Sequence, residues 1–393
     1  MKINKNYWRI LFICLIIFLS VFYLLCTTHR EEATREVSVS EGFTSLFNGK
    51  DLTGWVVEPD NGAYFVKAGS IHCAGEPRPP YVALSEKEYE NFILEVDFKI
   101  SPNGNSGIFF QTPIDGRQSK NGFELQIQGD AGSPASPWCT GALYDLVAPD
   151  TNANRPAGQW NHYKIELDWP LLKIWLNGVQ IHDRDFSTDH QLRYRRRMGF
   201  IGLQNHNSPV EFKNIFIKEL PGKIQYESLF NGKDLTGWRT IGDANWHVEN
   251  GAVLATEGSG YLISEKTYQN FEFMTYTRIF NVAYGGIYYR WLSADDPGYL
   301  AEFYNLQDAI EYTKQFAEHQ TPQDVLPVHR RYTWFPYQII AFDRQSEVRQ
   351  NGIISNTNLT MQKIRPGHIV FHFHPDSDSL IISDMKIRQL ESW

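Results

Sequence analysis

Cysteine is scarce in this chain of 393 residues: of four in all, Cys14 and Cys26 sit in one apolar run and only Cys73 and Cys139 lie in the body. A disulfide-dense scaffold is thereby excluded, and no Cys/His spacing fits a zinc site. Cys73 and Cys139 could pair in an oxidising compartment or stand as separate core thiols. Positive charge is also short. With 37 Lys and Arg against 45 Asp and Glu, the net charge is −8, which argues against a nucleic-acid binder. No glycine-rich dinucleotide signature is apparent, so neither nicotinamide nor flavin is expected. Helical periodicity is rare as well. QDAIEYTKQFAEH (307–319) is its best candidate and reads as an insertion.

What is abundant is aromatic and turn-forming: 25 Phe, 20 Tyr and 11 Trp with 29 Gly and 19 Pro. FILEVDFKI, GIFFQT, FELQIQ, HYKIELDW and KIWLNGVQIHD alternate or run apolar over strand lengths, and Asn177-Gly178 is a tight-hairpin signal. One basic cluster, Arg193 to Arg197, is expected to be a solvated strand end or loop, with an anionic ligand or lipid surface as the alternative.

At the N-terminus, Lys2, Lys5 and Arg9 precede an uncharged run from Ile10 to Cys26, a pattern that favours export of the chain beyond it. The alternatives are a retained membrane anchor, a lipoprotein signal ending Leu24-Leu25-Cys26, and a cleaved signal. All three place the body outside the cytoplasm, on the periplasmic or outer side. Residues 27–41 read as a charged tether.

The phrase SLFNGKDLTGW occurs at Ser45–Trp55 and again at Ser228–Trp238, an offset of 183 residues, about one domain. Further echoes come in the same order. LSEKEYENFILEVDFKI (84–100) is answered by ISEKTYQNFEFMTYTRI (263–279), SGIFFQ (106–111) by GGIYYR (285–290), and FKNIFIKEL (212–220) by ISDMKIRQL (382–390). The pattern is a tandem duplication joined near Pro221-Gly222, with domains at 42–220 and 221–393 and each copy an all-β sandwich. The repeated phrase supplies turns and core anchors, and reads as scaffold.

In the first copy GFTSLFNGKDLTGW, Asn105-Ser106-Gly107, GFELQIQ, TGALYDLVAP, PAGQWNHYKIEL, WLNGVQIHD and IGLQNHNSPVEFKNIFIKEL appear in that order. Together they closely resemble the 3-keto-disaccharide hydrolase domain family, formerly a domain of unknown function. The resemblance implies two tandem concanavalin A-like jelly-roll sandwiches after an N-terminal apolar helix. It also implies action on glycosides already oxidised at C3, with an upstream sugar 3-oxidoreductase as pathway partner. Gln111 stands where the family usually has Arg, and Gly129 where it usually has Asp.

Strand alternation puts Glu124, Gln126 and Gln128 on one face of FELQIQ, opposite Phe123, Leu125 and Ile127. It likewise pairs Phe109 with Gln111 and Gln204 with His206. If these strands share a sheet, Glu124, Gln126, Gln111, Gln204 and His206 line one cleft. Trp138 and Tyr144 could offer flat surfaces to a sugar ring. A C3 ketone acidifies the C2 proton, and the resulting enolate expels the group on C1, giving elimination or, after water addition, net hydrolysis. Glu124 or His206 is the expected base, with Gln126 and Asn105 as donors to substrate oxygens. A divalent cation held by Glu124 and His206 could polarise the ketone instead. His162 and His182 are expected to be structural. His372 and His374 could face one side and bind a metal, though two surface histidines are the commoner case.

In the second copy Leu300 answers Glu124 and Glu302 answers Gln126. Catalysis is therefore assigned to the first domain, and the second is expected to bind, to support or to have drifted. Two rivals remain. A retaining glycosidase with Glu-x-Asp-x-Glu fails because Glu95-Val96-Asp97-Phe98 ends in Lys99. A non-catalytic, membrane-tethered carbohydrate-binding protein would need no base.

Overall fold

A computed structural model describes residues 42–75, 81–115, 118–189, 192–193, 195–280, 285–303, 334–358, 361–374 and 378–390. The apolar N-terminal run, the tether and the expected helix at 307–319 lie outside these residues. From Ser45 on, the described residues form one compact unit containing two β-sandwiches.

In the first sandwich a five-stranded sheet runs in the order Trp55–Val56, Val82–Tyr89, Gly199–Gln204, Asn105–Thr112, Phe123–Gln128. The larger sheet runs Val179–Asp185, Leu171–Leu176, Asn161–Asp168, Phe92–Ile100, Pro209–Glu219, Ser70–Ala74, Tyr64–Lys67. The strands are antiparallel, and their alternation is what the sequence pattern requires. Phe92, Leu94, Val96, Phe98 and Ile100 face inward from one strand, and Phe123, Leu125 and Ile127 face them from the other sheet. The second sandwich repeats this strand order around a separate core. Its five-stranded sheet runs Trp238–Gly242, Gly260–Ser264, His368–Phe373, Gly285–Trp291, Tyr299–Glu302.

The repeated phrase folds identically in both copies. Asn48 Oδ1 accepts from the amides of Lys50 (2.8 Å) and Asp51 (3.0 Å), and Asp51 Oδ1 accepts from Asn48 Nδ2 (2.7 Å) and Thr53 N (3.0 Å). Trp55 Nε1 then donates to Leu46 O at 2.7 Å while its ring enters the core. Asn231, Lys233, Asp234, Thr236, Trp238 and Leu229 repeat every one of these bonds. Bonds from Thr53 and Asn48 lower the pKa of exposed Asp51, and bonds from Thr236 and Asn231 lower that of Asp234 to about 2. The phrase is a self-capped loop that pins a tryptophan.

The basic cluster corrects an expectation. Arg195, Arg196 and Arg197 are buried rather than solvated. Arg195 Nη1 donates to the carbonyls of Ser119, Lys120 and Gly122 at 2.9, 2.6 and 2.7 Å. Arg196 lies over the Tyr276 ring of the second sandwich, 5.6 Å from its centroid, and reaches Glu88 at 3.4 Å. Glu88 also accepts from Lys386 of the second sandwich at 2.9 Å. Arg197 packs over Trp169 at 4.4 Å. A guanidinium is planar and weakly hydrated, so it tolerates such a place when carbonyls, rings and carboxylates surround it. The seam between the copies is therefore charged, buried and paired. Asn121 Nδ2 donates across it to Asn351 Oδ1 at 3.0 Å.

Candidate active site

Glu124, Gln126 and Gln204 lie on the face of the five-stranded sheet that points away from the core, as alternation predicts. Register places Phe109 opposite Glu124 and Gly107 opposite Gln126. Gly107 gives the Glu124 side chain its place, because a Cβ there would fall 2.8 Å from Glu124 Oε1 and push the carboxyl aside. The loop holding Trp138 and Tyr144 is stitched along the free edge of the Phe123–Gln128 strand. Tyr144 N donates to Glu124 O (2.9 Å), Gln126 N to Ala142 O (3.0 Å) and Gly141 N to Gln126 O (3.0 Å). Trp138 on this loop is 54% exposed, so its ring is offered to solvent.

Four side chains form one continuous polar chain. Asn105 Nδ2 lies 3.2 Å from His206 Nδ1, and Asn105 Oδ1 lies 3.2 Å from the Gln126 amide. With the Gln126 and Asn105 amides both turned so that their neighbours are satisfied, Gln126 donates to Glu124 Oε1 (3.2 Å) and Ser106 O (3.3 Å), its oxygen accepts from Gln128 Nε2 (2.9 Å) and from the Asn105 amide nitrogen (3.2 Å), and the Asn105 oxygen accepts from His206 Nδ1–H. Glu124 is buried at one end of the chain and His206 is exposed at the other. Burial pushes the Glu124 pKa up to about 7, against the pull of a hydrogen bond from Gln204 and the positive charge of Lys120. A carboxyl poised there can both take and release a proton near neutrality.

Gln111 does not join this group. It is fully buried, and its Nε2 donates to Glu90 O (3.0 Å) and Arg197 O (2.8 Å). A left-handed backbone (φ 49°) and a bulge between Phe200 and Gly202 break the alternation on which its expected position rested. Its counterpart Arg290 has the same backbone (φ 54°) and is also buried, with Nε donating to Gln269 O at 2.9 Å. Arg290 of the second copy is thus a carbonyl clamp, and Gln111 takes that part in the first. At Gly129 a Cβ would stand 2.6 Å from Ser101 O, so this backbone leaves no room for a side chain.

Lys120 is a residue the sequence reading missed. It sits on the short helix Gln118–Asn121, pairs with Asp145 at 2.7 Å and supplies positive charge near Glu124. Its place just before FELQIQ was the available signal. The structural reading of two histidines holds: His162 Nδ1 lies 2.7 Å from Asp97 Oδ1, and buried His182 places Nε2 2.7 Å from Gly141 O. Cys73 and Cys139 are buried free thiols. His372 and His374 have ring centroids 6.1 Å apart. Among the described residues no group of three or more His, Cys, Asp or Glu is placed to hold a metal ion. Glu124 and His206 are accompanied by amides rather than by a further carboxylate or imidazole, which is an incomplete set for a divalent cation.

In the second copy the register recurs, with Leu300 opposite Tyr288 and Glu302 opposite Gly286. Leucine therefore stands where Glu124 does, so this copy has no carboxyl at that position.

A duplicated β-sandwich with a buried carboxyl on the outer face of one sheet defines the class. The sequence matches the family described as 3-keto-alpha-glucoside-1,2-lyase-like domain over residues 42–218 and again over 225–391. The chain belongs to that family. A 3-keto-disaccharide hydrolase of Bacteroides thetaiotaomicron is 24% identical over 232 residues, 46% of this chain and 79% of that protein. A Parabacteroides distasonis structure described as a glycosyl hydrolase is 28% identical, covers 48% of this chain and 99% of its own, and has a TM-score of 0.42. The carbohydrate-binding module CBM66 of Bacillus subtilis is 19% identical over 42% of this chain and 96% of its own, with a TM-score of 0.32.

Proposed function

We propose that the first sandwich cleaves the glycosidic bond of 3-keto-glycosides, and that the observation carrying this reading is the buried Glu124 carboxyl at the end of the Gln126–Asn105–His206 chain. Glu124 removes the proton from C2 of the 3-keto ring. The electrons move to the ketone oxygen as an enolate, and the C1–O bond breaks on their return. His206, exposed at the other end, delivers a proton to the departing oxygen. Asn105 and Gln126 orient the two groups and donate to substrate oxygens, and Trp138 or Tyr144 receives the apolar face of a sugar. The products are the 1,2-unsaturated 3-keto sugar and the free alcohol; addition of water to the former completes a hydrolysis. The fold type is proposed as a concanavalin A-like jelly roll, and the place of action as outside the cytoplasm, downstream of an oxidoreductase that makes the C3 ketone.

The test is to incubate the soluble body (from about residue 42) with a 3-keto-glucoside and with its unoxidised parent. Cleavage of the keto substrate alone is expected, with a primary isotope effect when C2 carries deuterium. The rate of cleavage should fall by about 100-fold or more in Glu124→Gln and in His206→Ala. Cleavage of the parent alone, or turnover of neither, would sink the reading.

A further inference from the structure

A cavity of about 350 Å³ lies in the seam between the two sandwiches, apart from the site on the first sheet face. Its apolar walls come from Ile114 and Phe200 of the first copy and from Tyr276 and Trp334 of the second. Its polar wall is the bridge from Glu88 to Lys386, continued to Asp384, which lies 3.0 Å from Lys386 Nζ. Behind Glu88 stands buried Arg196. The volume falls at the lower end of the roughly 300–1,000 Å³ typical of small-molecule sites, and domain interfaces are where such sites concentrate.

The walls specify the occupant. Two carboxylates and two cations already compensate one another, so an ionic ligand would have to displace an existing partner, and a charged group left unpaired there is costly. A neutral ligand bearing hydroxyls has no such cost. One hydroxyl can accept the single Lys386 N–H that its two bridges leave over, and others can donate to the remaining lone pairs of Glu88 or Asp384 without breaking the bridge. Its remaining surface must be apolar and broad to suit Phe200 and Trp334. A pyranose ring has that division, with hydroxyls around its edge and C–H groups on its faces. We infer that the seam cavity is a second carbohydrate site, taking an uncharged hexose or disaccharide between the two copies.

Both copies contribute walls, so neither alone contains the site. This ties the retained second domain to ligand binding even though Leu300 has replaced the buried carboxyl. The inference does not rest on the cleavage reading, because its ligand need not carry a ketone.

Isothermal titration calorimetry of the full body against glucose, maltose, sucrose and trehalose tests it, carried out in the Glu124→Gln/Asn105→Ala background so that the first site is disabled. Saturable binding of at least one sugar is expected. Ile114→Trp, which adds bulk from a residue already 51% exposed and so leaves folding intact, should weaken it at least ten-fold. Trp334→Ala should do the same, and Ile114→Trp alone should leave cleavage of a 3-keto-glucoside unchanged. No saturable heat with any of the four sugars, or binding that survives Ile114→Trp, overturns the inference.

Discussion

Glu124 is the residue where stability and chemistry pull apart. Its folded pKa of about 7 lies above the ordinary 4.5, so between those pH values the folded chain holds a proton that the unfolded chain has released. Stability therefore falls as pH rises from about 4.5 to 7, and the loss persists above that. Glu124→Gln is expected to be inactive yet more stable at pH 8, by up to about 3 kcal/mol, and no more stable at pH 4. Denaturant unfolding at the two pH values checks this; equal stability of variant and parent at pH 8 would count against a raised pKa. Gln111 shows the opposite character. Gln111→Ala should cost about 2 kcal/mol, because the buried Arg197 carbonyl and the half-buried Glu90 carbonyl lose their donor, while KM for a 3-keto-glucoside stays within two-fold. Periodicity assigned Glu124 and Gln126 to the correct face because their strand is regular. It misassigned Gln111 because a bulge and one left-handed residue are set by strand pairing, which periodicity does not record.

Among the elements, the repeated loop is the one that sequence comparison located and physical reasoning interpreted. Asx-type bonds from Asn48 and Asp51 close it locally, so its geometry depends on little outside the phrase. The distant demand falls on Trp55, whose Nε1–H must meet Leu46 O while the ring fills the core. Trp55→Phe keeps most of the ring volume and loses that bond, so a loss of about 1 kcal/mol is expected. Trp238→Phe should cost the same in the second copy, and calorimetric unfolding of each variant reads the effect. The strand from Phe123 to Gln128 was legible from alternation alone. The loop that covers its edge was not, because the pairing of Tyr144 with Glu124 and of Gly141 with Gln126 joins segments whose spacing carries no period.

For the whole molecule, the seam decides how the duplication is used. Glu88 bridges Arg196 and Lys386, with side-chain exposures of 17%, 5% and 20%. Glu88→Gln leaves buried Arg196 without its carboxylate and Lys386 with Asp384 alone, and a loss of about 3 kcal/mol with less cooperative unfolding of the two sandwiches is expected. Scanning calorimetry would show it as separation of one transition into two; an unchanged single transition would mean the seam contributes little. Composition, alternation and the double phrase determined by themselves that the chain is all-β, that it is duplicated, and that Glu124 faces away from the core. These are local or repeated properties, written in short periods. Only the tertiary structure decided that Arg195, Arg196 and Arg197 are buried at a domain seam, that Gln111 clamps carbonyls, and that Glu124, Gln126, Asn105 and His206 form one chain. Each of those depends on partners from distant strands, and a run of consecutive arginines reads as solvated until the carboxylate and rings that receive it are in place.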